Sequence, residues 1–490
     1  MKRFLALLLV LVMVIGLVAC GTKTPATTDP TKGNDPTSAP TDPATPTVNE
    51  KPYKGQTIEI WGNTGNTDFE SFGNGNYLWM MKAAMYEWAE ANEVTLVFKN
   101  SYDVNQLLAA INAGETPDLT FHDNKYPASA NYGLAAVWTE AELAKISQYI
   151  DQQWLDLMTM GGKTYGFVYP WTGTFGLKFN QSMFERYDAK TPLEYFLEGN
   201  WNWTTLKKAM DDVTKDLDGD GTIETYGLSR DSMVQGMTGG SFTLDEKGNL
   251  TMDVVESQHF FDYCEFYYTE YTINQTIAPV SGAKITTNFT YPMYAMQMSD
   301  TEFYNFDSVY KIVSNGDIIR SIPIPYYDGD TGTTADDQYW RKVTQSGCHI
   351  LKSCDVREAV VDMLCYVLQC GDYYMGQMSG GDYKPKFEGL KGTCEYSKTY
   401  IEYFGEVLKT RKELYDSYVA GGDFDPTLYA KIEEFYKKCT YTQYFTFTGV
   451  TECYRETSTV QKNPAATAVE TIKAKYKEAI DKYNSLYVFG

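Results

Sequence analysis

The chain has 490 residues, 43% of them apolar and 22% charged, a balance that fits folded domains and excludes wholesale disorder. Acidic side chains outnumber basic ones 64 to 42, and the formal charge of −22 repels phosphate backbones and anionic headgroups, which sets nucleic acid aside as a partner. With only 3 His, no HExxH and no paired CxxC, there is no zinc motif.

The first predicted element is an export signal. Lys2 and Arg3 precede an apolar run from Phe4 to Val18 that is too short for a comfortable membrane span, and a small-residue cleavage site follows. Leu17-Val18-Ala19-Cys20-Gly21 resembles the lipobox of bacterial lipoproteins, where the peptidase cuts before Cys and the thiol carries diacylglycerol. That resemblance implies a signal over 1–20, lipidation at Cys20 and a location on the extracellular face of the cell membrane. Residues 21–51 are rich in Thr, Pro and Asp and lack aromatics, so they are predicted to be a disordered tether. As a flexible coil, its 30 or so residues span roughly 30 Å. No later stretch is long and apolar enough to cross a bilayer.

About 440 residues remain, which a prior of roughly 150 residues per domain divides into two or three domains. Thr57-Ile58-Glu59-Ile60-Trp61 alternates as a strand, a Gly/Asn-rich loop runs from Gly62 to Gly75, and Tyr77 to Ala91 is amphipathic. A second strand at Thr95–Phe98, a helix at Val104–Ala113, the turn Gly114-Glu115-Thr116-Pro117 and a third strand at Asp118–Phe121 follow. This alternation predicts a mainly parallel α/β sheet. Later strands are predicted near 165–169, 175–179, 293–298 and 319–325, with helices near 203–215, 257–270, 356–369 and 397–416. The last strong helix, Ala465 to Tyr487, carries Ala468, Ile472, Tyr476, Ala479, Ile480 and Tyr483 as an apolar stripe. Besides Cys20, Cys264, Cys348, Cys354, Cys365, Cys370, Cys394, Cys439 and Cys453 have no spacing that fixes a pairing. Free core thiols and one or two bridges are both open.

The sharpest local motif is Asp216-Leu217-Asp218-Gly219-Asp220-Gly221-Thr222-Ile223-Glu224. Carboxylates at positions 1, 3 and 5 with Gly at 6 match the start of an EF-hand loop, and the turn at Gly221 aims several oxygens at one centre. Thr222 at position 7 would offer its backbone carbonyl and Glu224 at position 9 a carboxylate, whereas Gly227 stands where an EF-hand has its bidentate Glu. Structural Ca2+ bound by Asp216, Asp218, Asp220, Thr222 and Glu224 is the expectation; an acidic turn without an ion is the alternative. Aromatic residues reach 15%, with 40 Tyr and 9 Trp, side chains whose flat faces and polar edges suit sugars.

Several separated segments together resemble extracellular solute-binding proteins of the carbohydrate-uptake type, the group that includes maltose-binding protein. Asn105 to Asp118 is similar to the family's helix, AGxxPD turn and third strand; Gly161 to Gly166, Pro170 and Lys178-Phe179-Asn180 resemble the first passage between lobes. Trp201-Asn202-Trp203-Thr204 resembles its WTW segment, with Asn in the middle place, and Gly347 to Lys352 a late strand before a helix. The resemblance covers about 56 to 487. It implies an α/β, two-lobed, type II periplasmic-binding-protein-like fold with a hinge of two or three crossover segments and ligand held in the cleft. The lobes implied are 52–169 plus 300–352 and 170–299 plus 353–490; the region 371–460 is longer than in the simplest members.

The resemblance also implies cleft residues at strand ends: Asn63, His122, Asp123, Trp171, Arg230, Glu302, Phe303, Tyr339 and Trp340. Polar groups among them would hydrogen-bond hydroxyls, while Trp171 and Trp340 would stack on sugar rings. The function implied is a monomeric, non-enzymatic receptor that delivers a sugar or oligosaccharide to the permease subunits of an ABC transporter. Two other readings compete: an exported glycoside hydrolase, for which no carboxylate pair is singled out, and a calcium-dependent surface adhesion lipoprotein. Neither a GxSxG elbow nor a P-loop is present.

Overall fold

A computed structural model describes residues 51–62, 77–100, 104–121, 133–160, 162–171, 176–229, 245, 249, 251–278, 293–299, 312–314, 316–329, 341–344, 347–378, 384–421, 427, 430, 440–443 and 463–486. The expected signal, Cys20 and tether lie outside these residues. Among the described residues no helix is long and apolar enough to cross a membrane.

The body opens with β1 (Thr57–Gly62), α1 (Tyr77–Asn92), β2 (Thr95–Asn100), α2 (Val104–Asn112) and β3 (Leu119–Phe121). The strands form a parallel sheet in the order β2-β1-β3, as the alternation of strand and helix predicts. Ile58 and Ile60 point from β1 into the core, and Asp118 ties β1 to β3 by accepting the Glu59 N–H at 2.8 Å. The AGETPD turn thus delivers a carboxylate that holds strand register. Two short helices, α3 (Glu140–Ile146) and α4 (Gln152–Asp156), and three short strands, β4 (Thr159–Met160), β5 (Lys163–Thr164) and β6 (Phe167–Val168), complete this stretch. Thr139 and Glu142 close a capping box on α3.

The chain then builds β7 (Gly176–Asn180), α5 (Gln181–Arg186), α6 (Pro192–Leu197), α7 (Trp203–Val213), β8 (Thr225–Leu228), α8 (Asp253–Glu256), α9 (Gln258–Tyr267), β9 (Met293–Ser299), β10 (Ile312–Ser314) and β11 (Asp317–Pro323). Its five strands are ordered β10-β11-β7-β9-β8. Only β8 and β9 are parallel; the other pairs are antiparallel, so the expectation of a mainly parallel sheet holds for the first sheet alone. Asn180 caps α5 through the Met183 N–H and donates to the buried Asp317 at 2.7 Å, which fastens β7 to β11.

Last come β12 (Arg341–Thr344), β13 (Gly347–Cys348), α10 (Arg357–Met378), α11 (Glu395–Gly421), β14 (Thr440–Gln443) and α12 (Ala465–Leu486). Two apolar cores result. One holds β1, α1, β3, residues 135–171, β13, α10 and the first half of α11; the other holds residues 177–324 and α12. The predicted stripe on α12 is the buried one, through Ala468, Ile472, Tyr476 and Ile480. The expected lobe boundaries need correction in two places. Residues 353–408, expected in the second lobe, pack into the first core, because Ala359, Val360, Met363, Leu364, Val367 and Leu368 of α10 cover α1. Strands β10 and β11, expected in the first, are hydrogen-bonded into the second sheet.

Glu87 pins the added α10–α11 region to α1. Its side chain is 2% exposed and accepts from the backbone N–H of Lys391 at 2.7 Å and Thr393 at 2.9 Å, and from the Tyr366 hydroxyl. Burial pushes its pKa up, but hydrogen bonds from Ser397, Tyr366, Lys391 and Thr393 outweigh burial and leave it below the ordinary value. A carboxylate with a lowered folded-state pKa stabilises the fold above its unfolded value of about 4.3, and the contribution disappears as pH falls through the folded value. Glu87→Ala is expected to cost about 2–4 kcal/mol in denaturant unfolding at neutral pH, with a smaller difference from the parent in acid. An equal loss at every pH would refute this role.

Candidate functional site

Strand register shows at which edge of each sheet the chain leaves its strands. In the first sheet Gly62 and Phe121 are partners at the ends of β1 and β3, so the segments that begin at Asn63 and His122 start from neighbouring strand ends. Residues 347–351 run antiparallel to β3, with Thr120 donating to the His349 carbonyl at 3.0 Å and Leu119 bridged to Ile350. Their first residue, Gly347, therefore lies at the same end as Phe121 and pairs with Val168, the last residue of β6. The chain leaves and re-enters the first core at the edge from which the loops at 63 and 122 set out.

The second sheet repeats this arrangement. Gly176 at the start of β7 pairs with Ser299 at the end of β9 and with Pro323 at the end of β11, and β8 runs parallel to β9. One edge thus carries the entry at Gly176, the exit at Pro323, and the strand ends that lead towards Arg230 and Glu302. Such carboxyl-end edges are where open α/β sheets bind ligands. Three passages join the cores: 171–177, 324–348 and 408–465. The second and third contain β12 and β14, which pair in parallel.

The exit at Pro323 is held by Trp201-Asn202-Trp203. Trp201 is fully buried and its indole N–H donates to the Pro323 carbonyl at 2.9 Å. Asn202 caps α7 in a box with Thr205, and the Trp203 N–H donates to the Tyr326 carbonyl at 3.0 Å. Asn in place of the middle Thr keeps the cap, since either side chain accepts from the N3 amide. Beyond it, His259 stacks on Tyr327 at 3.8 Å between ring centroids.

Of the nine predicted cleft residues, Asn63, His122, Asp123, Arg230, Glu302, Phe303, Tyr339 and Trp340 lie outside the described residues. Trp171 is described, and it is not an open stacking platform. The residue is 9% exposed, Tyr169 stacks on it at 6.0 Å and 16°, and a Cβ built on Gly371 of α10 would lie 2.1 Å from its Cζ3. Gly371 and Tyr169 were missed by sequence reasoning. The available signal was a glycine inside a long apolar helix, where its propensity cost calls for a packing reason.

The acidic loop joins α7 to the edge strand β8. Ligand oxygens of Asp216, Asp218, Asp220 and Glu224 all lie within 4.8 Å of one another, the three Asp exposed and Glu224 half-buried. Two oxygens on one Ca2+ at about 2.4 Å can be no more than about 4.8 Å apart, so the four carboxylates fit a single ion. Asp216 accepts the N–H groups of Gly219 and Gly221 at 2.7 and 2.8 Å, and Glu224 folds back to accept that of Leu217 at 2.6 Å. The Thr222 N–H donates to Asp220, and with the Thr222 side chain it holds the Asp220 carboxyl below the usual range. The twelfth position cannot supply an EF-hand's usual ligand: a Cβ on Gly227 would lie 2.4 Å from the Met210 Cα of α7. Glu224 at position 9 stands in the cluster instead.

Comparisons with known proteins bear on the fold. No family model matches the chain, and no curated protein matches it. Among solved structures it is similar to an ABC substrate-binding protein from Listeria monocytogenes in complex with cycloalternan, with 13% identity and a TM-score of 0.53 over 87% of this chain and 99% of that one. It is similar to the protein CpMnBP1 with mannotriose bound, with 14% identity and a TM-score of 0.54 over 86% and 99%. The cyclic α-maltosyl-1,6-maltose binding protein of Arthrobacter globiformis follows at 11% identity and a TM-score of 0.52 over 87% and 99%. The fold is that of the two-lobed, type II periplasmic-binding proteins. Among the described residues the chain passes from one core to the other three times, within the two or three crossovers expected.

The six described cysteines, Cys264, Cys348, Cys354, Cys365, Cys370 and Cys394, are free thiols; Cys439 and Cys453 lie outside the described residues. Burial foremost pushes the thiols of Cys354, Cys365 and Cys370 up, Cys365 to about 12, so these are core side chains rather than nucleophiles.

Proposed function

We propose that the chain is a lipid-anchored extracellular receptor that captures a sugar or oligosaccharide between its two cores and hands it to an ABC importer. The observation that carries this reading is that the strand ends from which the expected site residues follow lie, in each sheet, at the edge where the first and second passages leave or enter. The chemistry of neighbours with this fold adds to it, since those named bind cycloalternan, mannotriose and a cyclic maltosyl-maltose. Lobe closure on the ligand would form the surface that the permease subunits meet, and binding needs no catalytic group. The protein acts as a monomer on the extracellular face of the membrane, held by diacylglycerol on Cys20.

Thermal unfolding of the purified protein against mono- and oligosaccharides tests the receptor reading. The cognate sugar at a hundredfold excess over its Kd should raise the Tm by about 3–5 °C and be recovered intact. A hydrolysed oligosaccharide would overturn the reading in favour of a glycosidase. The anchor has its own test: Cys20→Ala should move the expressed protein from the membrane pellet to the soluble fraction, and an unchanged partition would exclude lipidation.

The loop of Asp216, Asp218, Asp220 and Glu224, with the Thr222 carbonyl, is proposed to hold a structural Ca2+. Four carboxylates this close repel one another, and a cation would relieve that while bracing the join of α7 to β8. Chelator-treated protein should regain thermal stability on addition of Ca2+, and Asp218→Asn should blunt the gain. Calorimetry that detects neither binding nor stabilisation would remove the ion from the proposal.

A further inference from the structure

The second passage does not come free where it leaves the sheet. β11 ends at Pro323, yet Ile324 and Tyr326 are buried. The Tyr326 N–H donates to the Trp201 carbonyl at 3.2 Å, and its own carbonyl accepts from the Trp203 N–H at 3.0 Å. One residue further on, Tyr327 is gripped from several sides. His259 of α9 lies flat on its ring at 3.8 Å and 11°, and Trp203 of α7 meets the ring edge-on at 4.9 Å and 72°. The Tyr327 hydroxyl donates to the Asp262 carboxylate, which Gln258 steadies at 2.7 Å from one turn back along α9. A Cβ on Gly329 would lie 2.0 Å from that hydroxyl oxygen, so the backbone returns over it at a place with no room for a side chain.

The core does not need this ring for its own closure, since Tyr327 is half-buried and packs against the second core from its edge. What the contacts do is fix its orientation. The flat and edge-on partners set the plane of the ring, and the hydroxyl bond sets the direction in which it points. A hinge is made of the few residues that absorb a change of φ and ψ. Residues tied through two backbone hydrogen bonds and an oriented side chain cannot absorb it.

We infer that Tyr327 is a latch that fuses residues 324–328 to the second core, so that the second passage does not bend within them when the cores close on a ligand. The conformational half of this stands on the contacts alone, and its effect on sugar affinity rests on the receptor reading. A latched root leaves the open state fewer conformations to give up on closure, so less of the binding free energy is lost to ordering. Releasing the ring restores that freedom and weakens binding.

Amide hydrogen exchange on the sugar-free protein tests the latch, with the Tyr326 amide as the readout and those of α7 and α9 as the reference. In the parent the Tyr326 amide should exchange with those of α7. His259→Ala and Tyr327→Ala should each speed it roughly tenfold or more with α7 and α9 unchanged, and the double variant should add little to either single one. Tyr327→Phe keeps the stack and loses only the bond to Asp262; it should speed exchange less, and it serves where the larger cut unfolds the chain. Fast exchange at Tyr326 in the parent, or a rise in the variants that is equal throughout the second core, would overturn the inference. Calorimetric titration with maltotriose and mannotriose reads the consequence. The variants should bind whichever trisaccharide the parent binds roughly three- to thirtyfold more weakly. Equal affinity alongside faster exchange at Tyr326 would overturn the link to closure and leave the receptor reading intact. If no sugar binds the parent, the receptor reading fails, and the exchange result still decides the latch.

Discussion

The first passage out of the first core and the second passage back into it meet at a backbone contact that admits no side chain. β6 leaves the first core and β13 returns to it as a hydrogen-bonded pair, Gly347 with Val168 and Cys348 with Phe167. A Cβ on Gly166 would stand 2.0 Å from the Cys348 carbonyl oxygen, and one on Gly347 would stand 2.5 Å from that of Phe167. Two glycines therefore set how closely the outgoing and incoming passages run. That closeness puts the loop-bearing edge of the first sheet beside the hinge, and the ladder from β3 through His349 and Ile350 extends the same constraint into the sheet. Larger residues at 166 or 347 would force the passages apart before they disturbed either core.

What the sequence made legible was local. The alternation in Thr57 to Trp61, the AGETPD turn and the α12 stripe each depend on residues a few positions apart, and each appears in the structure as read; the acidic loop likewise brings its carboxylates together. Partner choice was not legible, because period-two alternation in β11 looks the same whether the strand pairs in parallel or antiparallel, and in either lobe. Likewise the apolar stripe of α10 states that the helix is buried, not against which core. The lobe boundaries failed at these two elements, and both failures are non-local.

The candidate site divides along the same line. The strand ends from which the expected site residues follow are placed well by the sequence; the burial of Trp171 depends on Gly371, some 200 residues away and brought against the ring only by the packing of α10 on the first core. No spacing rule connects those positions. Gly227 is the converse case. It looked like a defect in a calcium motif, and the structure gives it a steric reason, since α7 lies too close for any side chain there. A loop that keeps Glu224 and gives up its twelfth-position ligand serves the packing of β8 on α7 first.

The three passages are not independent hinges. β12 belongs to the second and β14 to the third, and their parallel pairing from Arg341–Thr440 to Thr344–Gln443 makes them one ribbon. The second passage is also fixed at its origin, where Trp201 holds the Pro323 carbonyl and Trp203 holds that of Tyr326, and at its end, where β13 pairs with β6. A segment tied at both ends and to its neighbour cannot swing alone, so relative motion of the cores must turn the ribbon and the first passage together. The first passage begins at Trp171, whose ring is clamped between Tyr169 and α10.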